Sequence, residues 1–137
     1  MHNAIHTLIV EDDILVAAFI EGVLLDRKIT ADSIMTGNCR EYLRQKHYDV
    51  AVVGIDRGSY DMSTVVHLLQ KNGIPVVLFS ILNDPHKLTA KFPNMPICHY
   101  DARYGRSLAL TVLGIVKASA KHSLPSPPSK ASLSICQ

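Results

Sequence analysis

The sequence predicts an α/β fold, a doubly wound parallel sheet of five strands with a helix after each. Three observations predict it. The runs Val50–Ile55 (VAVVGI) and Ile74–Ser80 (IPVVLFS) are apolar at nearly every position and do not alternate, as strands do when both faces are covered. Strand-like and helix-like segments alternate five times along the chain, which argues for parallel strands joined by right-handed helical crossovers. At 137 residues and 47% hydrophobic composition, the chain suits one domain with its own core.

Taken in order, Ile5–Val10 is a short apolar run with β-branched members and reads as the first strand. Asp13 follows and can cap a helix by accepting a backbone N–H bond. That helix extends to about Leu25, with Ile14, Ala17, Ala18, Glu21 and Leu25 near helical spacing, and it is apolar on most sides. Lys28–Met35 is a weaker strand, and Gly37–Gln45 a short polar helix. Val50–Ile55 is the third strand. Ser63–Lys71 is helical, with Val65, Val66, Leu68 and Leu69 apolar, and Asn72-Gly73 ends it. Ile74–Ser80 is the fourth strand, with Pro75 at its start, where a missing donor is tolerated. Asp84–Lys91 is a short helix, Met95–Tyr100 the fifth strand and Gly105–Ala120 the closing helix.

The closing helix carries one apolar stripe of Leu108, Val112, Ile115 and Val116. Leu110 and Leu113 lie toward the opposite side, near Lys117. Apolar residues beyond a core stripe can mark a partner surface. The domain is expected to span 1–120. The remainder, 121–137, is rich in serine and proline, and such a segment cannot repay its ordering entropy by burial. It reads as a flexible tail.

Composition excludes several classes. No apolar run reaches the roughly 18 residues of a membrane span. The N-terminus lacks the basic start and cleavage site of a signal peptide, so a soluble, cytoplasmic protein is expected. Lys121 and Lys130 lie in the acid-free tail, and without them Met1–Ala120 holds 12 basic and 12 acidic residues. That balance offers no general attraction to nucleic acid. Cys39, Cys98 and Cys136 have no metal-type spacing, and the seven histidines form no paired motif. No phosphate-binding loop, dinucleotide fingerprint or nucleophile elbow is present, and no enzymatic activity is expected.

In such sheets, function gathers outside the carboxyl ends of the strands. Glu11-Asp12-Asp13, Gly54-Ile55-Asp56-Arg57-Gly58, Ser80 and Cys98-His99-Tyr100-Asp101 all fall there. With these residues in view, LIVEDDILVAAFIEGVL resembles the opening of a response-regulator receiver domain. YDVAVVGID resembles its third strand, IPVVLFS its fourth, and the ending near His99-Tyr100 its fifth. The resemblance covers roughly Thr7 to Lys117. It implies a CheY-like, flavodoxin-like fold with strand order 2-1-3-4-5 and a role in two-component, phosphorelay signal transduction. Receivers of this family carry an acidic pair, a phosphoacceptor aspartate ending the third strand, a switch hydroxyl after the fourth and a lysine after the fifth, with Mg²⁺ held by the carboxylates.

Carried over by position, Glu11 and Asp12 match the acidic pair and Ser80 the switch hydroxyl. The acceptor position, five residues after Asp49, is Gly54, which cannot take a phosphoryl group. Asp56 lies two residues later, on the same side of the strand. Sliding the alignment to reach it would put the VAVV block out of step with its neighbours. Cys98 or His99 stands where the lysine belongs. The resemblance thus implies an atypical member lacking the usual acceptor and lysine. The two losses fit together, because fewer carboxylates leave less repulsion for a lysine and a cation to relieve.

Each of these residues also has an ordinary structural reading. The acids suit the positive end of a helix. Asp56 suits a turn in Asp-Arg-Gly-Ser. Ser80 can simply end a strand. His99 can titrate near neutral pH beside Glu11 or Asp12, or fill a structural place.

The leading expectation is a stand-alone receiver that acts by protein–protein contact with little or no aspartate phosphorylation. Its partners would be a sensor histidine kinase or another signalling protein, or a second copy through the last helix. No cofactor is required. One alternative is a phosphorylatable receiver using Asp56, with Mg²⁺ held by Glu11, Asp12 and Asp56. Another is a flavodoxin-like domain binding a small ligand, disfavoured by the lack of a glycine-rich loop after the first strand.

Overall fold

A computed structural model of the chain describes residues 4–55, 62–81, 89–99 and 106–122. Five parallel strands form one sheet in the order β2-β1-β3-β4-β5. They are β1 (His6–Val10), β2 (Thr30–Ile34), β3 (Val50–Gly54), β4 (Val76–Ser80) and β5 (Ile97–His99). The helices are α1 (Ile14–Leu25), α2 (Cys39–Gln45), α3 (Met62–Lys71) and the closing helix α4 (Arg106–His122). This is the α/β, doubly wound arrangement the apolar patterning predicts, with the strand order the resemblance implies.

Burial explains the patterning. Every residue of β3 and β4 is buried, because each strand has neighbours on both edges and packing on both faces. Leu8, Val10, Ala51, Val53 and Leu78 pack on one face with Tyr48 and the α3 residues Val65, Val66 and Leu69. Ile9, Val50, Val52, Val77 and Phe79 pack on the other with Ile20, Val23 and Leu24 of α1 and Leu108 and Val112 of α4. The pairing Ile9↔Val52 and Val10↔Val53 fixes which residues share a face.

Helix ends follow local chemistry. Asp13 caps α1, its Oδ1 accepting from the Leu15 N–H at 2.9 Å and the Val16 N–H at 3.3 Å, a cap usually worth about 1 kcal/mol. Past α3, the Gly73 N–H reaches the Gln70 carbonyl and the Ile74 N–H that of Leu69, with Gly73 at φ 74°. Past α1 the same left-handed place is held by Lys28, at φ 61°.

Several boundaries differ from expectation. β2 is Thr30–Ile34, shorter than 28–35, because Lys28 and Ile29 close α1 through bonds to Leu25 and Leu24. Its polar pattern suits an edge strand. The expected helix over 37–45 is split into a 3-10 turn, Thr36–Asn38, and α2. β5 is Ile97–His99, and the expected Tyr100 end lies outside the described residues. Most of the expected helix 84–91 also lies outside them; residues 89–91 are helical. The closing helix continues to His122, two residues past the expected domain end at 120.

Candidate functional site

The carboxyl ends of β1, β3, β4 and β5 lie along one edge of the sheet. Register places Gly54 beside Phe79, Phe79 beside Cys98, and Ser80 beside His99. Gly54 is the last residue of β3, where the resemblance expects a phosphoacceptor. Asp56, the alternative acceptor and metal ligand, lies outside the described residues.

Glu11 accounts for the glycine. Its side chain is 7% exposed, and its carboxyl group occupies the space a Cβ on residue 54 would need. Glycine inside a strand commonly marks such a close approach. Glu11 Oε2 also accepts a hydrogen bond from the Asp13 N–H at 2.9 Å, and the Glu11 N–H donates to the Ile34 carbonyl at 3.1 Å. The carboxylate is therefore turned inward over the end of β3.

Asp12 goes elsewhere. Its Oδ1 accepts from the Thr36 N–H at 2.7 Å and its Oδ2 from the Thr36 hydroxyl at 2.8 Å. It holds the 3-10 turn after β2 in place. Asp13 caps α1. The three successive acids thus serve three different partners instead of converging. Among the described residues no cluster of three or more His, Cys, Asp or Glu side chains could hold a metal ion. Thr36 engages both oxygens of Asp12, and Asp56, the third of the expected Mg²⁺ ligands, lies outside the described residues. Thr36 carries no local signal for this role; it lies 24 residues from Asp12.

Ser80 is fully buried at the end of β4. Cys98 and His99, the two candidates for the lysine position, face different surroundings. Cys98 packs in the core beneath α4. Burial pushes its thiol pKa up, against a weaker opposing effect of the Thr111 hydroxyl, which Cys98 Sγ approaches at 3.5 Å. His99 Nε2 is buried and finds no hydrogen-bond partner among the described residues. The expected pairing of His99 with Glu11 or Asp12 is not formed. Strands β3 and β4 intervene, a separation of about 14 Å that a histidine side chain does not bridge. On the closing helix, Leu110 is 49% exposed, whereas Leu113 is half-buried against the core.

No protein-family model matches the sequence, and no curated protein matches it significantly. Solved structures do match the fold. A response regulator receiver protein from Sinorhizobium medicae WSM419 is 18% identical, with TM-score 0.70, over 84% of this chain and 96% of that one. The receiver domain of Francisella response regulator 1452 is 21% identical, with TM-score 0.64, over 83% and 98%. The signal receiver domain of a signal transduction histidine kinase from Syntrophus aciditrophicus is 17% identical, with TM-score 0.71, over 92% and 98%. The chain has the CheY-like fold of response-regulator receiver domains.

Proposed function

We infer that this chain is a receiver-type module of two-component signal transduction that works by protein–protein contact, with little or no phosphorylation of an aspartate. The observation that carries this reading is Gly54 at the end of β3, with the Glu11 carboxyl group filling the space above it. Phosphoryl transfer depends on positioning and charge neutralisation. Here the acceptor position has no nucleophile, Asp12 is engaged by Thr36, and Cys98 or His99 replaces the lysine. The fold is kept while these parts of the chemistry are missing. A sensor histidine kinase or another cytoplasmic signalling protein is the fitting partner, and no catalytic activity is assigned. No helix among the described residues is long and apolar enough to cross a membrane.

The test is exposure of the full chain to acetyl phosphate with Mg²⁺, followed by intact mass measurement. No mass gain is expected. A labile gain of one phosphoryl group, abolished by Asp56→Asn, would replace this reading with a receiver phosphorylated on Asp56. Thermal shifts with nucleotides or flavins would point to a small-ligand domain.

A further inference from the structure

β2 is the last strand on its side of the sheet, and among the described residues no strand pairs with its outer edge. The Thr30 N–H donates to the Ile5 carbonyl, and the Ile34 carbonyl accepts from the Glu11 N–H. Even-numbered residues of β2 therefore bond β1, and the backbone groups of Ala31 and Ser33 point away from the sheet. A groove of about 560 Å³ follows this edge, between Glu21 of α1 and Tyr42 and Gln45 of α2. On the α1 side it continues into an apolar cleft beside Ile14, Ala18 and Met35, of which Ile14 is 77% exposed and Met35 53%. On the α2 side it is polar, lined by Asp32 and Lys46. The two sides call for different side chains, apolar toward α1 and polar toward α2. A strand added to the edge supplies them through its period of two.

The serine- and proline-rich tail holds a segment of that pattern. In residues 131–136, ASLSIC, the apolar Ala131, Leu133 and Ile135 alternate with Ser132 and Ser134. We propose that this segment adds to the outer edge of β2 as a sixth parallel strand, with Leu133 and Ile135 in the cleft beside α1 and Ser132 and Ser134 toward Asp32. The connection has the reach. The 17 residues of α4 carry the chain about 25 Å back from the carboxyl edge of the sheet, to the amino ends where a parallel strand starts. Residues 123–130, with prolines at 125, 127 and 128, span about 25 Å when extended. From α4, packed on Val50 and Val52 of β3, the new position lies three strand spacings away, about 14 Å across the sheet. The hand agrees. α1 lies on the same face as α4 and joins β1 to β2 in the same direction, so both crossovers are right-handed. Charge agrees as well. The groove sets Glu21 and Asp32 against Lys46, and the tail brings Lys121 and Lys130 with no acid. Once seated, the segment closes the edge against pairing with another chain. Its seating does not depend on whether an aspartate is phosphorylated.

Amide hydrogen exchange of the full chain tests it. The Ala31 and Ser33 amides should exchange about tenfold or more faster in a Leu133→Glu, Ile135→Glu double variant than in the wild type. Ser134→Thr, on the polar side, should leave both rates unchanged. Disulfide trapping checks which side chains face α1. In a Cys136→Ser background, Ser33→Cys should form an intramolecular disulfide with Leu133→Cys or Ile135→Cys about tenfold faster than with Ser134→Cys. Equal exchange in wild type and double variant overturns the proposal. So do equal disulfide rates at 133, 134 and 135, which a tethered segment without a seat would give. A disulfide that forms only between two chains also overturns it, in favour of a second copy on this edge.

Discussion

Replacing Gly54 by alanine should destabilise the protein, and the reason lies entirely in Glu11. The added Cβ lands on the Glu11 carboxyl group, and the side chain must swing away. It then gives up the bond from the Asp13 N–H. A hydrogen bond to a charged group contributes about 1.5–3 kcal/mol. Against this, alanine is favoured over glycine inside a strand by about 0.5–1 kcal/mol, because it loses less backbone freedom on folding. The net cost is about 1–2 kcal/mol, a fall in Tm of roughly 3–6 °C for a domain of this size. Urea unfolding of the wild type, Gly54→Ala, Glu11→Ala and the double variant measures it. With Glu11 shortened to alanine, the obstacle is gone and Gly54→Ala should become a gain of about 0.5–1 kcal/mol. The coupling between the two sites should be about 2 kcal/mol. An equal cost of Gly54→Ala in both backgrounds would refute the placement of Glu11 over β3.

Three further outcomes follow from other parts of the fold. Thr7 is fully buried on β1, and its hydroxyl finds no hydrogen-bond partner among the described residues; Thr7→Val keeps the shape and should raise stability by about 1 kcal/mol in urea titration, whereas a loss would reveal a partner for the hydroxyl. Lys28 holds a left-handed conformation at the end of α1, so Lys28→Gly should gain about 1 kcal/mol, and a drop in Tm would contradict that cause. On β2, Asp32 accepts from Lys46 at 2.8 Å and Tyr48 at 2.7 Å, and these hydrogen bonds hold its carboxyl below its ordinary pKa. That contribution is present above the unfolded carboxylate pKa, about 3.9, and is lost as pH falls through the lower folded value. The Tm difference between wild type and Tyr48→Phe should therefore narrow in acid, and a constant difference from neutral pH to pH 2 would count against the Asp32 linkage.

Much of the architecture is legible in the amino-acid order because burial imposes a period. VAVVG and VVLFS are apolar without interruption, and the structure covers them on both faces. The weaker readings came where local chemistry competes with periodicity. β2 begins late because Lys28 and Ile29 still belong to the close of α1. The polar stretch after it splits because Thr36, tied to Asp12, starts a 3-10 turn before α2.

By itself, the sequence determined the five parallel strands, the apolar core of β3 and β4, and the edge of the sheet where Glu11, Gly54, Ser80 and His99 fall. These depend on local spacing, and hydrophobic period and capping residues encode local spacing directly. Tertiary structure alone decided where the acids point. Glu11 turns over Gly54 and Asp12 binds Thr36, and both contacts join residues far apart in the chain, which no local pattern specifies. It also decided which face of α1 is left open. A helix apolar on every side has no preferred inward face in its sequence, and only packing against the sheet and α4 exposes the line from Ile14 to Leu25.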